Sequence, residues 1–103
     1  MNLQEITAAD LEPYLNQTFS VSLEPSIAIE LALISLTELG PVGRNSETPG
    51  RQIAFSAVFR GPASPLLPQH IYSFSHAGLG TFEIFITPIG PDAVGMRYEA
   101  IFN

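Results

Sequence analysis

With 103 residues and no cysteine, the chain has the length of one domain and can form neither a disulfide framework nor a thiolate metal site. The formal net charge is −6, and Met1 to Gly43 holds six acidic residues and no basic one, whereas the remainder holds four of each. That balance disfavours direct contact with nucleic acid or an anionic membrane, both of which need clustered positive charge.

The N-terminus carries no basic region followed by an apolar run, and no apolar stretch approaches about 18 residues without polar interruption. The expectation is a soluble, cytoplasmic protein. Residues 7–15 read as a short helix. Thr7 is placed to cap it and Asp10, three residues on, completes a capping box with Asp in place of Glu, while Ile6 and Leu11 are spaced as a hydrophobic staple. Pro13 limits the helix to two turns at most, of α or 3₁₀ type, because proline removes a backbone donor and crowds the preceding turn. Leu11, Tyr14 and Leu15 should then lie against one end of a sheet.

Strands are expected over 17–103. Gln17 to Glu24 alternates with Phe19, Val21 and Leu23 inward, the pattern of a strand with one wet face. After a Pro25-Ser26 turn, Ile27 to Leu39 admits helix or strand. Its alternation changes phase after Leu33, and a strand with a bulge near Leu33 to Ser35 explains that change, since a bulge inserts one residue. Gly40 to Gly50 has turn residues and no apolar periodicity, so it reads as a loop. Arg51 to Phe59 is a strand with Ile53, Phe55, Ala57 and Phe59 on one face and a small, weakly polar opposite face that another element can cover.

Gly61 to Pro68 contains three prolines and should cross the surface outside any ladder. Its large side chains, Leu66 and Leu67, either plug one end of the sheet or stand out as a knob for a partner. Gln69 to Gly90 is a hairpin turning through Gly78-Leu79-Gly80. A three-residue loop keeps the aromatic faces together and opposes Phe74 to Ile84 and Tyr72 to Ile86, with glycine supplying the positive φ that closes such loops. Pro88 to Gly95 reads as another loop. Met96 to Asn103 closes the chain as a strand with Met96, Tyr98, Ala100 and Phe102 on one face, and Arg97 and Glu99 placed to pair on the other.

Six strands in antiparallel order predict an all-β fold, a small antiparallel six-stranded barrel or sandwich (meander) with one short N-terminal helix, as a single domain over 1–103. Chemistry is sparse in this pattern. His70 and His76 share a face but stand about 20 Å apart along a strand, too far for one ion. The ten carboxylates form no pair beside a His, the glycines form no phosphate-cradling loop, and the aromatic residues lie on core faces without basic neighbours. No catalytic, cofactor-binding or metal residue is assigned, no cofactor is expected, and the chain is read as not an enzyme.

The second half nevertheless resembles a known family. Phe59-Arg60-Gly61-Pro62, Leu66-Leu67-Pro68-Gln69, Tyr72 with His76, Leu79-Gly80, Phe82 and Phe85, Pro88-Ile89-Gly90-Pro91-Asp92 and the final Met96-Arg97-Tyr98-Glu99-Ala100-Ile101-Phe102-Asn103 are similar to a bacterial family of about 100 residues catalogued as a domain of unknown function. In the first half Leu11, Phe19 and Leu39-Gly40 are comparable, and the 40–50 segment is longer. Members of that family often lie near genes for phage tail-collar-like proteins. The resemblance implies a tail-associated or assembly-accessory role and brings no catalytic residues with it.

Two functions from different classes follow. The first is a non-catalytic structural or interaction module docking on another protein, tail-collar-like by the resemblance, through an exposed strand edge or the proline-rich loop. Leu66, Leu67, Arg60 and Gln69 are its candidate contacts, and a strand edge without lysine leaves homo-oligomerisation open. The alternative is a small barrel binding an apolar small molecule in a cavity lined by Phe55, Phe74, Ile84 and Tyr98. Six short strands fill their interior with side chains, which places the interaction module first.

Overall fold

The computed structural model describes residues 6–41 and 53–102. The chain enters through helix α1 (Ala8–Leu11), continued by a 3₁₀ turn over Glu12–Tyr14 that begins at Pro13's end of the helix. The capping box is formed in full: Thr7 N–H donates to Asp10 Oδ2 at 2.9 Å, and Asp10 N–H donates to Thr7 Oγ1 at 3.2 Å. Ile6 and Leu11 on either side of the cap are both buried in the main core.

Six strands follow: β1 (Thr18–Glu24), β2 (Ile27–Pro41), β3 (Ile53–Gly61), β4 (His70–His76), β5 (Gly80–Pro91) and β6 (Met96–Phe102). All pairings are antiparallel, and the hydrogen-bonded order is β1-β2-β3-β6-β5-β4, with β4 returning to β1. The fold is therefore two three-stranded meanders, β1-β2-β3 and β4-β5-β6, set side by side. They join along two unequal seams. The β3–β6 seam runs from Phe55↔Phe102 to Gly61↔Met96, whereas the β1–β4 seam comprises Ser20↔Ser75, Val21↔Phe74 and Ser22↔Ser73.

This arrangement corrects the expectation of a barrel around a ligand cavity. The pairings do form a ring, but one seam is short and the halves close face to face like a sandwich over a filled interior. Val21, Leu31, Leu33, Phe55, Phe59, Phe74, Ile86 and Tyr98 occupy that interior, each at most 2% exposed. Phe59 sits among them with Phe19 edge-on at 5.6 Å and Phe74 at 5.1 Å between ring centroids, and Phe55 stacks on Phe102 at 4.6 Å. The residues proposed to line a cavity, Phe55, Phe74, Ile84 and Tyr98, are all members of the one buried hydrophobic cluster.

Residues 27–41 form a strand, and the pairing of β2 with β3 shifts register between Leu33 and Ser35, where the phase of the apolar pattern changes. Of the 40–50 loop expected from composition, Gly40 and Pro41 are described, and they end β2. Its remainder, with Arg51 and Gln52 of the expected third strand, lies outside the described residues.

The β4–β5 hairpin has the expected odd loop, but the register differs. Its loop is Ala77-Gly78-Leu79, Phe74 faces Phe82, and Tyr72 faces Ile84. The turn is drawn one residue earlier by His76, whose carbonyl accepts from Leu79 N–H at 3.1 Å and whose Nδ1 accepts from Gly78 N–H at 2.9 Å. Gly80 carries the positive φ (+87°) at the first position of β5, and Leu79 is tucked into the core. Since the shift is two residues, each side chain keeps its face.

The segment 88–95 is also not the loop expected from its prolines. Strand β5 runs through Pro91, with a bulge between Pro88 and Gly90 at which Gly90 adopts φ +106°. Bulges tolerate proline because the ladder is already interrupted there. The turn proper is 92–95, fixed by Asp92 Oδ1, which accepts from Val94 N–H at 2.8 Å and Gly95 N–H at 2.9 Å. Gly95 passes directly over the Gly61 carbonyl, so closely that a Cβ there would overlap it.

Candidate interaction surface

The four contacts expected from sequence do not gather into one site. Leu66 is exposed (56%) and so is Gln69, but Leu67 is 3% exposed and belongs to the core. Its backbone N–H donates to the Tyr98 hydroxyl at 3.0 Å inside the protein, so Leu67 closes the sheet's interior and Leu66 alone remains on the surface. Tyr72 anchors the same segment by donating from its hydroxyl to Pro68 O at 2.7 Å. We expect Tyr98→Phe to lower stability by about 1–2 kcal/mol, because the buried Leu67 N–H is left without an acceptor. Urea denaturation of the two proteins measures the difference.

Arg60 is committed elsewhere. Its guanidinium binds Asp92, with Nε to Oδ2 at 2.8 Å and the salt bridge at 2.6 Å. The Arg60 hydrogen bond, followed by the backbone N–H groups of Gly95 and Val94, holds the Asp92 carboxyl well below the usual carboxylate range. Folding therefore favours the ionised form. The stabilisation is present above the unfolded value near pH 3.9, and is lost as the pH falls from there toward the lower folded value. Asp92→Asn should flatten the acid limb of the stability curve between about pH 4 and 2 and leave its shape unchanged above about pH 5, which thermal melts across that range check.

The predicted Arg97–Glu99 pair is not made. Arg97 Nε donates to Gly90 O at 3.3 Å, and Glu99 Oε2 accepts from Ser56 Oγ at 2.8 Å. The reason is geometric: both side chains leave the same face of β6 but each finds a fixed neighbour across a strand. Ser56, on the small opposite face of β3, is the buried polar side chain that results.

Neither histidine offers a metal centre. His76 packs against Tyr14 and Phe19, with ring centroids at 5.0 and 4.9 Å, and its Nε2 lies 2.7 Å from Gln17 Oε1. His70 packs edge-on against Tyr72. Among the described residues no group of three or more His, Asp or Glu is placed to hold a metal ion, and no helix is long and apolar enough to cross a membrane. A shallow cavity of about 310 Å³ opens at the surface where α1 meets β2, lined by Ala8, Glu12, Leu15, Leu36 and Glu38. None of the four residues expected to line a ligand cavity borders it.

The feature that the sequence pattern did not single out is on the outer face of β4-β5-β6. Ile71 and Phe85 are cross-strand partners there, exposed by 53% and 48%. The β5–β6 ladder ends at Thr87↔Glu99, and Ile101 (48% exposed) lies two residues past it on the outward face of β6. Ile71 and Phe85 thus form an exposed apolar pair across β4 and β5, and Ile101 stands on the same outward face. Alternation puts Phe85 and Ile101 outside, but only the register sets Phe85 against Ile71.

Comparison with curated proteins and with solved structures finds no match. The model of one family spans nearly all of the described chain, residues 6–102. The chain accordingly belongs to the family described as Domain of unknown function (DUF6916).

Proposed function

We propose that this domain is a non-catalytic interaction module that seats on another protein through the outer face of β4-β5-β6. The observation that carries the reading is the cross-strand pair Ile71 and Phe85 with Ile101 on the same outward face, three large apolar side chains each about half exposed. A few side chains buried at the centre of a protein contact supply most of its energy. The contact moves from the strand edges and proline-rich loop to a sheet face, because Leu67 is buried, Arg60 is paired, and every strand has neighbours on both sides over part of its length. A collar or fibre protein of a tail-like assembly is the partner class that the resemblance implies.

The test is affinity purification of the tagged chain from its own cell extract, with Phe85→Ser and Leu66→Ser as parallel baits and mass spectrometry of what co-purifies. A partner retained by Leu66→Ser and lost from the folded Phe85→Ser variant supports the sheet face. A partner lost only from Leu66→Ser would return the contact to the loop and sink this reading.

A further inference from the structure

The exposed apolar pair has charged rows on both sides. Two residues along the strands in one direction lies the pair Ser73↔Glu83, and two residues in the other lies Thr87↔Glu99, all pointing outward like the apolar pair itself. Glu99 is not free to swing away. Ser56, which faces Ile101 across the β3–β6 seam, donates to its carboxylate at 2.8 Å and so holds the negative charge on this face. The described cations stand one row further on, where Arg60 and Arg97 are cross-strand partners, and both are occupied, Arg60 by Asp92 and Arg97 by the Gly90 carbonyl.

We propose, resting on the interaction reading above, that this face selects a partner segment with an apolar anchor flanked on both sides by lysine or arginine. Complementary charge at the rim steers encounter and discriminates between partners more than it adds affinity. The rows bearing Glu83 and Glu99 are four residues apart, about 13 Å at strand spacing. An extended partner segment therefore places its basic residues about four positions apart, with the anchor midway. A second copy of this chain is disfavoured by the same argument. It would bring two further glutamates to the rim and a net charge of −6 of its own.

The test is selection of short random peptides on the immobilised full chain, with binding of the enriched peptides then measured to the native protein, Phe85→Ser, Glu83→Lys and the double variant Glu83→Lys/Glu99→Lys. The expected peptides carry an aromatic or aliphatic centre between two basic residues, lose binding to Phe85→Ser, and bind the double variant about tenfold more weakly, with high salt removing the same difference. Glu83 is exposed and makes no pair among the described residues, so Glu83→Lys alone keeps the test valid should the double variant not fold. Enriched peptides with neutral or acidic flanks that still need Phe85 overturn the charge rule and leave the face standing. Peptides indifferent to Phe85→Ser overturn both. An empty selection, or a stable dimer by sedimentation equilibrium, also overturns the charge rule.

Discussion

Phe59→Ala should cost about 4 kcal/mol of folding stability and lower Tm by about 20 °C, measured by calorimetry against the native chain. Phe59 is 2% exposed, meets Phe19 and Phe74 edge to face, and pairs with Leu33 on one side and Tyr98 on the other. Truncation to alanine removes a ring that touches both three-stranded halves, and the surrounding strands, fixed by their ladders, cannot collapse onto the space. With a total stability of about 5–15 kcal/mol expected for a domain of this size, the loss is a large share of the whole. Phe85→Ser, on the outer face, should by contrast change stability by no more than about 0.5 kcal/mol. A Phe59→Ala protein melting within a few degrees of native would mean that the aromatic centre is not what joins the halves.

A larger effect is expected from ending the chain at Met96. Strand β6 supplies the long seam to β3 and the partner of β5, and it carries Tyr98, Ala100 and Phe102 into the core. Its loss would strand the β3 ladder, remove the acceptor that holds Leu67, and unstack Phe55. No cooperative thermal transition should remain, by circular dichroism or by differential scanning fluorimetry. A retained cooperative melt would contradict the role assigned here to β6.

Much of the fold was legible because its signals are local. The Thr7 and Asp10 spacing sufficed for the helix start, Pro13 for its limit of two turns, and the phase change after Leu33 for the bulge, each being a matter of neighbouring residues and fixed periodicity. What stayed hidden depends on contacts between distant segments. The β4–β5 register turns on a hydrogen bond from Gly78 to the His76 ring, and nothing in the pattern of apolar residues reports which ring nitrogen will accept. Pro88 and Pro91 masked the end of β5, since composition cannot show that a bulge would absorb the missing donor. Leu66 and Leu67 are equal in sequence, and a single buried hydroxyl, Tyr98, draws in one and leaves the other out. The interaction face was half visible: alternation exposes Phe85 and Ile101, but the pairing of Phe85 with Ile71 is one that no single strand encodes.

The two seams also imply an order of events. The β1–β4 seam joins Ser20 to Ser75 across 55 positions through three facing pairs, and around its Val21–Phe74 centre the residues on both strands are serines with little side-chain packing to add. Bringing such ends together costs loop entropy before the few bonds reward it. The meanders should form first, zip along β3 and β6, and close at the serines last. Native-state amide exchange would then divide the molecule by mechanism: protons in the β3–β6 ladder leave only when the whole chain unfolds, and those bridging Ser20, Ser22, Ser73 and Ser75 leave through brief local openings, at rates insensitive to low denaturant.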